Sequence, residues 1–154
     1  MTQDAPDRLV EIARRLEECI AILERESGLR PFRVPDRDNI DGASPYYGED
    51  NGQLFVRAME RGKLVRDEAH ESVESVVESL VTSAAVEVAR AYEVRHRRRS
   101  EDSRRQWFHL SEFWLGKVEQ AWGDRLHSDH VAVLRVAPFD DEAVRRARAG
   151  RSCG

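Results

Sequence analysis

PYYGEDNGQLFVRAMERGKLVRDE, residues 45–68, decides the fold class. Two turn signatures divide it. Asp50-Asn51-Gly52 carries Asn-Gly, the strongest short hairpin signal, because both central positions of such a turn need positive φ. Glu60-Arg61-Gly62 supplies a second turn. The runs between them are Tyr46–Tyr47, Gln53–Met59 and Lys63–Asp67. In the middle run Leu54, Val56 and Ala58 alternate with Phe55, Arg57 and Met59, which is the period of a strand. The stretch therefore predicts a three-stranded antiparallel meander with one face to be covered and one wetter face.

The cover must come from helices on either side. Downstream, residues 71–97 repeat Val73, Val77, Leu80, Val81, Ala84, Val88, Ala91 and Tyr92 at three- and four-residue steps. Continued from Val88 and Tyr92, that stripe puts Arg95 on the buried side and His96 on its shoulder. The valines lower intrinsic helix propensity, so this helix depends on packing and is expected to lie across the sheet. Upstream, residues 7–26 repeat Leu9, Ile12, Ala13, Leu16, Ile20 and Leu23, with Asp4 or Asp7 as cap and Gly28 as terminator. Residues 30–45 hold Pro31, Pro35, Gly42 and Pro45 among Asp36, Asp38, Asn39 and Asp41, and read as a loop. A loop of that length without an element of its own is functional or mobile.

Beyond the long helix comes YEVRHRRRSEDSRRQWF, residues 92–108, with six arginines. Ser100-Glu101-Asp102-Ser103 reads as a helix restart, with Ser100 as cap, acids at the positive end of the new dipole and arginines at the negative end of the old one. The next stripe is Trp107, Leu110, Ser111, Trp114, Val118 and Ala121, edged by Phe108 and Leu115. Gly123-Asp124 predicts a break near Trp122. A last helix carries Leu126, His130, Val133, Leu134 and Ala137 until Pro138, with Phe139 tucking back. EAVRRARAGRSCG, from Glu142, has little to bury and reads as disordered or a frayed helix. The expected architecture is α+β and helix-rich: a short three-stranded antiparallel sheet packed against about four helices. It forms one domain over residues 1–141, with a disordered tail at 142–154.

With 154 residues, 40% hydrophobic and 35% charged, the chain suits one core under a charged exterior. A net charge of −4 argues against a general nucleic-acid binder. The charge is unevenly placed. Residues 36–78 hold eleven acids and five bases, net −6, and residues 79–107 hold seven bases and four acids, net +3. Such asymmetry bears on partners and encounter rates. Cys19 falls in a helical pattern and Cys153 in the tail, which predicts no disulfide and a reducing compartment. The opening residues carry acids throughout and lack a secretory apolar core. No run approaches the length of a membrane span. These features predict a soluble cytoplasmic protein that does not enter membranes.

No constellation points to chemistry. His127 and His130 lie three apart on one helix, but no further ligands stand at metal-site spacing. No phosphate loop and no nucleophile elbow occur. Glu93 and His96 form an acid/base pair on paper, yet beside several arginines that pair reads as an ion network. We therefore expect no catalytic residue, no metal and no cofactor. We expect a structural polar network of Tyr92, Glu93, Arg95, His96, Asp102, Arg104 and Arg105 that locks two helices together. The alternative for this stretch is a nucleic-acid-binding or regulatory module using the Arg95–Arg105 cluster.

The ordered motifs resemble a known family. They are Asp41-Gly42-Ala43-x-Pro45, Glu60-Arg61-Gly62, Tyr92-Glu93-Val94-x-His96-Arg97 and Asp102-x-Arg104-Arg105-x-x-Phe108. Trp122-x-x-Arg125, His130, Leu134 and Pro138-Phe139-Asp140-Asp141 complete the set. Together, over roughly residues 41–141, they resemble the immunity protein 63 family of bacterial polymorphic toxin systems. Ser44 stands where that pattern has arginine and Val94 where it has leucine. The resemblance implies a non-enzymatic cytoplasmic antidote that binds and blocks a cognate toxin domain. The acidic segment then becomes the expected partner surface: Asp38, Asp41, Tyr47, Glu49, Asp50, Glu60 and Arg61.

Overall fold

Both predicted turns form. In the computed structural model, which describes residues 7–151, Asn51 and Gly52 take φ of 49° and 79°, and Arg61 and Gly62 take 50° and 74°. Positive φ at both central residues matches the right-handed twist of the strands they join. They join β1 (Tyr46–Asp50), β2 (Gln53–Glu60) and β3 (Lys63–His70) into an antiparallel sheet of order β1-β2-β3. Tyr47 pairs with Val56 and Val56 with Glu68, and a register shift falls between Ala58 and Met59. Leu54, Val56 and Ala58 point into the core, as their alternation requires. On the uncovered face the Arg57 guanidinium lies 3.9 Å from the Phe55 ring centroid, held by Asp50 and Asp67.

Five helices complete the fold: α1 (Arg8–Ser27), α2 (Val73–Arg95), α3 (Arg104–Val118), α4 (Gln120–Val136) and α5 (Asp141–Ala149). Asp7 caps α1 by accepting the Leu9 N–H, and Gly28 ends it in the left-handed conformation at φ 71°. Asp4, the other candidate cap, lies outside the described residues. α2 is the central element. It packs against α1, α3 and the sheet, so its buried arc is wide: Val76, Val77, Leu80, Val81, Ala84, Ala85, Val88 and Ala89. The arc then runs along Ala85, Ala89 and Glu93, four apart, which leaves Ala91 and Arg95 exposed. The expectation of a buried Arg95 is therefore corrected. A single stripe extrapolated from Val88 and Tyr92 misses a helix packed on several sides. Cys19 of α1 is buried, and burial pushes its thiol pKa up. Cys153 lies outside the described residues.

Two helix boundaries differ from expectation. α3 starts at Arg104 rather than after Ser100, because the Asp102 carboxylate accepts the Arg104 N–H. The break between α3 and α4 falls at Glu119 alone, in extended conformation, and α4 runs straight through Gly123. This glycine marks a close approach between helices. A Cβ built on it would lie 2.7 Å from Gly116 Cα and 2.9 Å from the Glu112 carbonyl oxygen. Residues from Glu142, expected as disordered or a frayed helix, join Asp141 in α5 as far as Ala149, with Asp140 accepting the Ala143 N–H at its start. No α5 residue is buried, so its order comes from capping and ion pairs that composition does not reveal.

Candidate partner-binding site

The inner face of the sheet is apolar on β1 and β2 but polar on β3. Arg66, Glu68 and His70 alternate along β3 and turn toward α2, where Ser75, Ser79 and Ser83 lie four apart on one stripe. The Arg66 guanidinium donates to Glu68, to Ser79 Oγ at 2.6 Å and to Ser83 Oγ at 2.8 Å. Glu68 also accepts from Ser79 at 2.7 Å and lies 3.0 Å from His70 Nε2. Desolvation pushes the Glu68 pKa up. Hydrogen bonds from Arg66, Ser79 and His70, with the charge of Arg66, outweigh it and bring the pKa down to about 2. Ser75, His70 and Glu68 stand in the order of a hydrolytic relay. However, Glu68 is shared with Arg66 and Ser79, and Ser75 Oγ lies 3.1 Å from the Ser72 carbonyl as well as 2.8 Å from His70 Nδ1. One hydroxyl proton serves only one of those two acceptors. The arrangement is a cross-linked polar bed that holds the edge strand on α2.

The 30–45 loop closes over this bed and leaves a groove of about 870 Å³ between itself, β3 and α2. Its course is fixed by named contacts. Arg33 pairs with Asp36, Asp38 N–H donates to Asp36, and Tyr47 N–H reaches the Asp36 carbonyl at 3.1 Å. Gly42 and Ala43 N–H groups both donate to the Met59 carbonyl, and Asp41 accepts the Gly62 N–H. Phe32 N–H donates to Glu87 at 3.2 Å, while the Phe32 ring stays 83% exposed. Asp41, Glu78, Glu87 and Asp129 line the groove.

The expected acidic surface is divided. Asp41, Glu60 and Arg61 meet at the β2–β3 turn, because Asp41 binds Gly62 there. Asp38 lies nearby in sequence on the exposed loop. Glu49 and Asp50 sit at the opposite end of β2, where Glu49 pairs with Arg8 and Asp50 with Arg57. Eight strand residues at a rise of about 3.3 Å separate these ends by roughly 23 Å. Tyr47 corrects the expectation outright: it is 3% exposed and belongs to the core, and burial pushes its hydroxyl pKa up. Its position opposite buried Val56 turns it inward, and Tyr46 next to it faces outward against Phe55.

In the 92–108 stretch four of the six arginines find acids. Glu93, only 4% exposed, takes Arg97 in two bonds of 2.9 and 3.2 Å. Arg98 pairs with Glu101 at 3.6 Å. Asp102 is held by Arg104, whose guanidinium also reaches the Ala137 and Pro138 carbonyls at 2.8 and 2.9 Å. The Arg104 hydrogen bonds, then the Asp140 and Arg104 N–H groups, keep the Asp102 carboxyl well below the usual range against its desolvation. Arg105 pairs with Asp141 of α5 at 3.0 Å. His96 stacks on Tyr92 and touches the Tyr92 carbonyl, so it does not address Glu93. Arg95 is exposed and takes no part. His127 and His130 share the Glu112 carboxylate at 3.0 and 2.7 Å, and His130 stacks flat on Phe108. Among the described residues, no three His, Cys, Asp or Glu side chains are arranged to hold a metal ion.

Sequence reasoning missed the polar bed and the groove above it. The signal was present as Arg66-x-Glu68-x-His70 at strand period facing Ser75, Ser79 and Ser83 at helix period. A polar strand face ordinarily means solvent, and only a helix stripe of matching polarity reveals the pairing. Among the described residues, no helix is long and apolar enough to cross a membrane. Comparison with curated proteins and with solved structures returns no match. The family model described as Immunity protein 63 matches residues 50–132, which span both hairpin turns, the polar bed, α2, α3 and most of α4. That match covers more than half of the chain, and the protein belongs to the immunity protein 63 family.

Proposed function

We propose that this protein neutralises a toxin by stoichiometric binding to a cognate bacterial toxin domain in the cytoplasm, without chemistry of its own. Membership of an immunity-protein family carries the reading. Two structural features support it. The 30–45 loop is held near its start by the Phe32 N–H on the Glu87 carboxylate and near its end by the Gly42 and Ala43 N–H groups on the Met59 carbonyl, so the groove it frames is set before any partner arrives. A preformed surface lowers the ordering cost of association. Three of the arginines that would serve a nucleic-acid reading, Arg97, Arg104 and Arg105, are engaged with Glu93, Asp102 and Asp141, which favours a structural role for those three.

The test is co-expression with the toxin domain encoded beside this chain. Growth should be restored, and the two purified proteins should co-elute at equal molar ratio on gel filtration. Toxicity unchanged by co-expression, together with separate elution, would remove this reading.

A further inference from the structure

We infer that the groove between the 30–45 loop, β3 and α2 is the docking site for the toxin, and that it takes a basic extended segment in which cationic and apolar side chains alternate. This rests on the immunity reading and names the chemistry of its partner. The argument begins with charge. Four carboxylates line the groove: Asp41 from the loop, Glu78 and Glu87 from α2, and Asp129 from α4. Two arginines line it, and both are already committed. Arg33 pairs with Asp36, and all three nitrogens of the Arg66 guanidinium donate to Glu68, Ser79 and Ser83. Among the described residues, Glu78 alone of the four carboxylates is met by a cation, Arg125, in bonds of 2.5 and 3.0 Å. Among the described residues, Glu87 and Asp41 accept from backbone N–H groups only. Each carboxylate has room for several hydrogen bonds, so acceptor capacity remains. The groove therefore repels anions and favours lysine and arginine.

Shape and polarity narrow the occupant. Phe32 lines the groove and is 83% exposed, although its own N–H is anchored to Glu87. Ile40 and Pro45 on the loop and Val86 on α2 continue an apolar lining. A volume of about 870 Å³ lies within the roughly 300–1,000 Å³ range of specific ligand pockets, which suits a short segment rather than a folded face. A lysine or arginine satisfies both demands, since its aliphatic stem covers apolar surface while its head meets a carboxylate. The exposed Phe32 face also offers a cation–π contact.

The test uses the full chain and the toxin domain encoded beside it. Glu87→Lys combined with Asp129→Lys should weaken the complex at least tenfold, mainly through slower association at low salt, and Phe32→Ala should shorten its lifetime. Asp50→Lys, at the far end of the sheet, should stay within twofold of the parent. Phe32→Ala removes only an exposed ring, so it remains informative if the charge reversals disturb folding. A second arm needs no toxin. A hexapeptide alternating lysine and leucine should shift the backbone resonances of Gly42, Ser79 and Ser83, and its glutamate–leucine counterpart should not. Parent-like toxin binding by all groove variants, with loss on Asp50→Lys, overturns the groove while leaving the immunity reading standing. Peptide shifts elsewhere, or equal shifts from both peptides, also overturn it. Absence of any complex with the parent chain removes the immunity reading itself and the docking assignment with it.

Discussion

At the residue scale, two glycines in one helical corner should respond in opposite directions to the same change. Gly123→Ala places a methyl 2.7 Å from Gly116 Cα, against backbone that cannot swing aside. Overpacking of this kind costs about 1–3 kcal/mol, and urea unfolding should show a loss toward the upper end. Gly116→Ala meets its nearest neighbours at 4.0 Å, ordinary contact distance. It should gain roughly 0.5–1 kcal/mol by the usual helix preference for alanine. Glu68 gives a prediction in pH. Its pKa falls from 4.5 to about 2 on folding. A depressed carboxylate pKa means stability that is present above about 4.5 and is lost as pH falls toward 2. Because 37% of the Glu68 side chain is exposed, screening reduces the contribution to on the order of 1 kcal/mol. Glu68→Gln should therefore lower stability at pH 7 and flatten the stability curve between pH 4.5 and 2. An unchanged slope would show that the polar bed does not hold Glu68 as described.

At the element scale, legibility followed the number of neighbours. α1 and β2 each bury one face, so their periods could be read directly from Ile12, Leu16 and Leu23 and from Leu54, Val56 and Ala58. α2 buries a wide arc, and its stripe was read too narrowly, missing Ala85, Ala89 and Glu93. β3 was legible as a strand but not as a polar inner face, because its partners lie on another element. The start of α3 was missed because Asp102, not Ser100, satisfies the first free N–H. α5 was read only as a disordered tail or a frayed helix. Its amphipathic pattern buries nothing, and Arg105 with the Asp102 N–H holds Asp141 from 36 and 39 residues away. That origin of order has a measurable result. α5 amides should exchange far faster than those of α2, and Asp141→Ala or high salt should speed them further. Exchange in α5 as slow as in α2, insensitive to salt, would contradict this account of its docking.

At the scale of the whole molecule, the candidate site was half legible. Counting acids located the 36–78 segment, but only the fold shows that β2 sends Glu49 and Asp50 to one end and Glu60 to the other. The loop, read as functional or mobile, proves to be tied down by Met59, Gly62 and Glu87. Tyr47 was included in the expected partner surface, and its strand register places it inside. One feature of the interior has a practical use. Cys19 sits beneath α1 at 6% exposure with its thiol pKa raised by burial, so both access and reactivity are suppressed in the native state. The chain therefore carries its own clock. In a Cys153→Ser background, iodoacetamide should label Cys19 only as fast as α1 opens. A toxin domain that binds the closed form should slow that labelling in proportion to its concentration over Kd. Alkylation kinetics would thus report occupancy in crude lysate, before either protein has been purified.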